Sequence, residues 1–337
     1  MRVQLNTVFF TGFLNFIASA MGSSIPDVDQ YWPEVANDLS KVTWSHATNS
    51  KALLQEALTN DTIMMIEADI SMGHLQGNLS TDPLPIMAHP PHKTSDLSFE
   101  MFLDTVLVAT AQNETKKGIK LDFKDVNAVR KCLDSLNIQR DQINFPVWLN
   151  ADIISGPVDA VNTPVDPDTF LPLCVEFFPE GTLSVGWTTR FTEANDSRAH
   201  YTTDQVKQMT DAIERNHVTQ PITFPVRAAF VELSLDILSW LLDAVPDSTL
   251  TVWSSESDEY NIEALVWLQD SVGADAVYYD LPPDQRAEFD KLRPAQTLGS
   301  ASSADPCVKI WPRGTVLWAS LTAALGAVAA AYFYGFD

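Results

Sequence analysis

A (β/α)8 barrel is the fold class that this 337-residue sequence predicts. Three observations predict it. Short, largely apolar runs rich in Val, Ile, Trp and Phe alternate with helix-like stretches, as parallel strands buried on both sides should. No low-complexity linker breaks the alternation. No Gly-rich phosphate loop follows the first strand, which argues against an open nucleotide-binding sheet.

The strands fall, in order, at Val42–His46, Ile63–Ile70, Gly118–Phe123, Phe145–Asn150, Thr182–Trp187, Ile222–Phe230, Thr249–Ser254 and Ala274–Tyr279. Helical spacing of apolar residues marks Ser50–Leu58, where Ala52, Leu53, Leu54, Ala57 and Leu58 recur on one face. The same spacing marks Phe99–Ala111, Val126–Leu136, Thr203–Arg215, Leu233–Ala244 and Ile262–Ser271. The Pro-rich stretch Gly156–Pro172 reads as a loop before a short helix.

Both ends carry targeting signals. Residues 1–20 read as a signal peptide, with Arg2, an apolar run from Val8 to Ile17, and the cleavage pattern Ala18-Ser19-Ala20. Glycosylation sequons at Asn60, Asn78, Asn113 and Asn195 fit the secretory route. The barrel domain is expected over 38–298, followed by a small-residue and polar spacer over 299–314. Residues 315–336 are uncharged and apolar, and about 20 such residues cross a bilayer. Lys309 and Arg313 precede this run and only Asp337 follows it, so a GPI signal is preferred over a transmembrane helix. The expected location is extracellular or cell-surface.

Hydrophobic residues make up 45% of the chain, enough for a sizeable core. The formal charge is −23, from 21 basic and 44 acidic residues, and this excludes nucleic acid and anionic membrane surfaces as natural partners. It does not exclude a divalent cation. Cys132 and Cys174 are candidates for a disulfide in an oxidising compartment, and Cys307 lies in the tail.

Catalytic groups of such a barrel sit at the C-terminal ends of strands. His46 ends the first strand. Glu67 and Asp69 lie two apart on the second and so point to one side. Two such carboxylates after an apolar run repel each other, and a hard cation, Mg2+ or Ca2+, would relieve the conflict. The segment Pro85–His89 is another apolar run ending in histidine. On the third strand Asp122 could complete a three-carboxylate metal site, and Lys124 could hold a phosphate oxygen. Trp148, Trp187 and Trp253 stand at later strand ends, where core packing competes with a place at the mouth. Arg227 is a further candidate for a phosphate contact.

The order His46, Glu67-x-Asp69, His89, Asp122-x-Lys124 resembles the motifs of the glycerophosphodiester phosphodiesterase superfamily. There, two histidines serve as acid and base while acidic residues hold one divalent metal in a TIM barrel. Closer still is the menorin family. That resemblance rests on Val42-Thr43-Trp44-Ser45-His46-Ala47-Thr48-Asn49-Ser50, Ile66-Glu67-Ala68-Asp69-Ile70 and Ile86-Met87-Ala88-His89-Pro90-Pro91. It continues through Gly118–Lys124, Pro146–Ile153 and Val252-Trp253-Ser254-Ser255. Ala47 stands where the hydrolytic superfamily typically has Arg, and Pro90 where it often has Asp.

The resemblance implies catalytic His46 and His89, metal ligands Glu67, Asp69 and Asp122, and substrate contacts from Lys124 and Trp253, to which the residue reading adds Arg227. The implied substrates are glycerophosphodiesters or lysophospholipids. The alternative is a non-catalytic surface protein that uses the barrel for recognition or as a co-receptor, with an extracellular protein as partner. A glycosidase is a poorer fit, because Glu67 and Asp69 share one wall instead of flanking a substrate.

Overall fold

Strands covered on both faces need apolar side chains towards the helices, while the inward positions are free to carry polar groups at one end. The computed structural model describes residues 25–78, 82–111, 115–191 and 197–293, and shows this division. In chain order the elements are α1 Val28–Tyr31, β1 Trp44–Ser45, α2 Lys51–Thr59, β2 Met65–Leu75, β3 Leu84–Met87, β4 Thr94–Ser95, α3 Phe99–Ala111 and β5 Gly118–Phe123. They continue as α4 Val126–Ile138, β6 Val147–Ile154, α5 Pro167–Phe177, β7 Thr182–Trp187, α6 Thr203–Arg215 and β8 Ile222–Arg227. The last are α7 Leu235–Ala244, β9 Thr249–Trp253, α8 Glu263–Val272, β10 Val277–Asp280 and α9 Pro283–Leu292.

The strand order is β1-β2-β5-β6-β7-β8-β9-β10, and each neighbouring pair is parallel. This is a nearly closed eight-stranded α/β barrel. No ladder joins β1 to β10. Side chains and one backbone bond span that seam instead: Leu39 N–H donates to the Ala274 carbonyl at 2.8 Å, and the Trp44 and Tyr278 rings meet edge-on at 6.4 Å.

Helices close the outside because their apolar stripes match those of the strands. Ser50 caps α2 by accepting from Leu53 N–H, Asp125 caps α4 from Asn127 N–H, and Thr202 caps α6 from Gln205 N–H. At the N-terminal face of the barrel, Val28, Trp32, Val35, Leu39 and Val42 pack with Met65, Trp148 and Tyr278. The Trp148 ring lies 5.4 Å from Trp44 and 5.0 Å from Tyr278, so aromatic groups fill that end.

Several expected boundaries move. The structured domain starts upstream of residue 38, since Ile25 and Val28 are already buried. The first strand shrinks to Trp44–Ser45, and the second extends to Leu75 because β3 pairs with it antiparallel. The helix expected after Pro172 begins at Pro167 and contains Pro172. Cys132 and Cys174 are both buried and free, not disulfide-bonded. The signal peptide, the spacer, the apolar tail and the sequons at Asn113 and Asn195 lie outside the described residues. Asn60 and Asn78 are exposed. No helix among the described residues is long and apolar enough to cross a membrane.

Trp32 is 3% exposed, so Trp32→Ala should lower unfolding free energy by about 3–5 kcal/mol, read by urea denaturation. An unchanged midpoint would show that residues 25–37 do not belong to the folded unit.

Candidate metal centre

Parallel register brings the acidic residues together. Glu67 is level with Lys120, and Asp69 with Asp122, across β2 and β5. Oxygen atoms of Glu67, Asp69 and Asp122 all lie within 4.8 Å of one another, forming an acidic triad able to hold a metal ion. Glu67 is 2% exposed and Asp69 4%. Oδ1 of Asp122 is buried with no close hydrogen-bond partner among the described residues, although the Asn150 side chain lends that carboxylate some support. Three carboxylates with a spare oxygen suit a hard cation.

The segment after β1 wraps onto this group. Ala47 adopts φ of 52°, and the turn directs its N–H to Glu67 Oε2 at 2.7 Å. Asn49 grips Asp69 twice: its Nδ2 donates to Oδ2 at 2.7 Å, and its Oδ1 accepts from the Asp69 backbone N–H at 2.9 Å. His46 stands between strands. Its Nδ1 is 2.9 Å from Asp280 Oδ2 at the end of β10 and 3.7 Å from Glu67 Oε2. The Asp280 contact fixes the ring and leaves Nε2 for exchange with solvent or ligand.

Charge is unevenly balanced. Glu67, Asp69, Asp122, Asp152 and Asp280 interact electrostatically as one set, against Lys120, Lys124 and His46. Burial is the largest influence on Glu67; although His46 opposes it, burial with neighbouring Asp69 and Asp122 pushes its carboxyl up to about 7. Asp152 rises to about 7 in the same way, burial and Asp122 outweighing Lys124. Burial also opposes ionisation of Asp122, but Lys124 and Lys120 outweigh it and hold that carboxyl below its usual range. For His46 burial disfavours the charged ring, and Asp280 and Glu67 reverse this and raise its pKa. Half of the His46 side chain opens to the mouth, so water tempers that rise.

Lys124 Nζ lies 2.6 Å from Asp122 Oδ2 and 3.4 Å from Asp69 Oδ1. Lys120 sits deeper, its ammonium 5.8 Å from the centre of the Trp44 ring. Gly186, level with Asp152 on β7, leaves room for it: a Cβ there would come within 3.1 Å of Asp152 Oδ1 and 2.7 Å of the Pro225 ring.

The remaining predicted site residues divide. His89 is exposed at the rim, its Nδ1 2.6 Å from the Pro90 carbonyl oxygen. It is tied to the triad through the backbone, since Ala88 N–H donates to the Asp69 carbonyl at 2.9 Å. Trp253 is part-exposed at the end of β9. Trp148 and Trp187 are not at the mouth. Trp148 fills the N-terminal end of the barrel, and Trp187 turns towards the helices, donating from Nε1 to the Gln205 carbonyl at 3.2 Å. Arg227 is largely committed: Nε and Nη2 bond the two oxygens of Asp258 at 2.7 and 2.6 Å, and Nη1 reaches Thr189 Oγ1 at 3.2 Å. Its guanidinium also lies 5.2 Å from the Trp253 ring centre, so it supports that ring. Two surface cavities, one beside Leu58 and Val108 and one beside Trp32 and Met64, hold none of these groups.

The profile of the Menorin N-terminal domain matches residues 38–286. The chain belongs to the menorin family. It is 38% identical over 254 residues to Protein FAM151B of Homo sapiens, covering 75% of this chain and 87% of that protein. Among solved structures it is similar to ribulose-1,5-bisphosphate carboxylase/oxygenase from Pyrococcus horikoshii OT3, at 12% identity and TM-score 0.41, covering 76% of this chain and 57% of the other. It is also similar to an oxaloacetate acetylhydrolase, at 9% identity and TM-score 0.41, covering 81% and 87%. Likeness this remote carries no argument about the reaction.

Within this menorin domain, sequence reasoning missed Asn49, Lys120, Asp152 and Asp280 as members of the centre. Lys120 and Asp152 were accessible in principle, each sharing a strand face with a residue two positions away. Asp280 lies one residue beyond the expected last strand.

Arg227 and Asp258 are 12% and 0% exposed as side chains. Asp258→Ala should therefore cost about 3–5 kcal/mol of stability by leaving a buried charge unpaired. Replacing both by apolar residues should cost less, and chemical denaturation of the two variants checks the order.

Proposed function

We propose that this menorin-family chain is an extracellular, metal-dependent phosphodiesterase acting on glycerophosphodiesters or lysophospholipids. The observation that carries the reading is the triad of Glu67, Asp69 and Asp122 with His46 clamped beside it. The order of these residues with His89 and Lys124 is similar to that of the glycerophosphodiester phosphodiesterases.

Glu67, Asp69 and Asp122 would hold Mg2+ or Ca2+. When bound, such an ion supplies Lewis-acid polarisation of a phosphoryl oxygen. The chain's own groups do the rest. Lys124, two residues from Asp122 on the same face, offsets negative charge on the phosphoryl oxygens. Attack by water or by an internal hydroxyl forms one P–O bond as the bond to the leaving alcohol breaks. One proton leaves the attacking hydroxyl and one joins the leaving oxygen, and His46 and His89 exchange these two protons. Asp280 keeps the His46 proton on Nδ1 and so presents Nε2 to the reacting atoms. Trp253, braced by Arg227, offers an apolar face to a lipid chain or headgroup. Residues 1–20 and 299–336 would deliver the domain to the outer surface, through a GPI anchor in preference to a membrane-spanning helix.

Incubating the full chain with glycerophosphocholine and lysophosphatidylcholine in Mg2+ or Ca2+, then with chelator, tests the proposal. Release of the alcohol should stop with chelator. His46→Ala should slow it by about 100- to 10,000-fold. Asp280→Asn should lower turnover with little change in KM. Turnover that survives chelator and His46→Ala together would contradict the mechanism. A chain that turns over neither substrate favours the recognition reading.

A further inference from the structure

Two neighbouring helices on the outside of the barrel share an unusual surface. On α7, Asp236, Ser239, Trp240 and Asp243 follow i, i+3, i+4, i+7 spacing and so form one stripe. On α8, Glu263, Trp267, Asp270 and Ser271 form a second. The stripes adjoin, because Ser239 Oγ and Ser271 Oγ are 3.2 Å apart. Trp240 and Trp267 are each 44% exposed, on a side chain that proteins otherwise bury heavily. Each has a carboxylate four residues before it and another three residues after it. Neither helix contains a Lys or Arg. None of the ion pairs among the described residues includes these four carboxylates.

With α7 and α8 side by side at Ser239 and Ser271, Trp240 and Trp267 fall within about two helical turns of each other along the helix direction. Carboxylates and indoles therefore alternate over a band of about 18 Å. A fold gains nothing from two half-exposed indoles among unpaired acids. A basic ligand does, since ammonium and guanidinium groups bind carboxylates by charge and indole faces by cation–π attraction. A second copy of this chain is a poor occupant, because its net charge of −23 would set like against like.

We infer that the α7–α8 face is a docking surface for a basic, amphipathic helical segment of a partner protein, with Lys or Arg one helical turn apart and apolar residues between them. It is remote in kind from the barrel mouth, using no residue of the metal centre, and it holds whether or not the chain is an enzyme.

The test measures fluorescence anisotropy of a labelled Lys/Leu amphipathic peptide of about 14 residues, long enough as a helix to cover the band, with the full chain. The same peptide with Glu for Lys is the control. The basic peptide should bind, and Trp240→Ala with Trp267→Ala should weaken it at least about tenfold. Neutralising Asp236, Asp243, Glu263 and Asp270 should weaken it and flatten its salt dependence. Neutralising Asp204, Glu214, Asp284 and Glu288, exposed on α6 and α9, should change little. All these positions are at the surface, and circular dichroism checks that each variant folds. No binding of the basic peptide would overturn the inference, as would an equal loss in the α6 and α9 variant. Self-association of the chain that disappears in the double tryptophan variant would also overturn it, assigning the face to a second copy.

Discussion

The gathering of like charge inside the barrel is the constraint on which the rest of the structure depends. Glu67, Asp69, Asp122, Asp152 and Asp280 converge on one end of the interior, where desolvation makes each charge costly. A core selected for stability alone would replace them with apolar residues of similar volume. Their retention is organised instead. Ala47 N–H, Asn49 and His46 each bond a named carboxylate, and Lys120 on β5 and Lys124 just after it bring positive charge to the same group.

The seam between β1 and β10 belongs to the same arrangement. Without ladder bonds, the closure of the barrel runs partly through His46 and Asp280, which also orients the imidazole towards the triad. Barrel closure and the placement of His46 beside the triad are thus one interaction. Beside the charged groups, Asn150, level with Asp122, pairs with Ser184 at 2.6 Å, and Thr223 pairs with Thr251 at 2.7 Å, so neutral polar pairs fill the interior next to the carboxylates. Trp44, Trp148 and Tyr278 form an aromatic plug at the N-terminal end.

Legibility in the sequence followed the strength of the local signal. The barrel strands were readable because their apolar runs are dictated by burial on both faces. Their ends were not, because ladder partners such as β3 on β2 set them. The start of α5 was hidden by Pro167, which is harmless at a helix start, and by Pro172, which packing of Phe170, Leu171 and Cys174 overrides. The helix α9 buries only Phe289 and so shows no apolar period. The triad was visible as Glu67-x-Asp69 and Asp122 because strand spacing puts alternate residues on one side. Asp280 was not, since its partner His46 lies 234 residues away and no local pattern links them. Trp148 and Trp187 show the limit of reading aromatics: strand position alone does not tell the barrel end or face on which an indole lies.

The central claim is that this carboxylate excess exists to hold a cation. Equilibrium dialysis of the full chain against Mg2+ and Ca2+, with Asp69→Asn alongside, tests it most directly. One tightly bound divalent ion per chain, lost in the variant, is the predicted result. Absence of binding, or binding untouched by Asp69→Asn, would contradict the account.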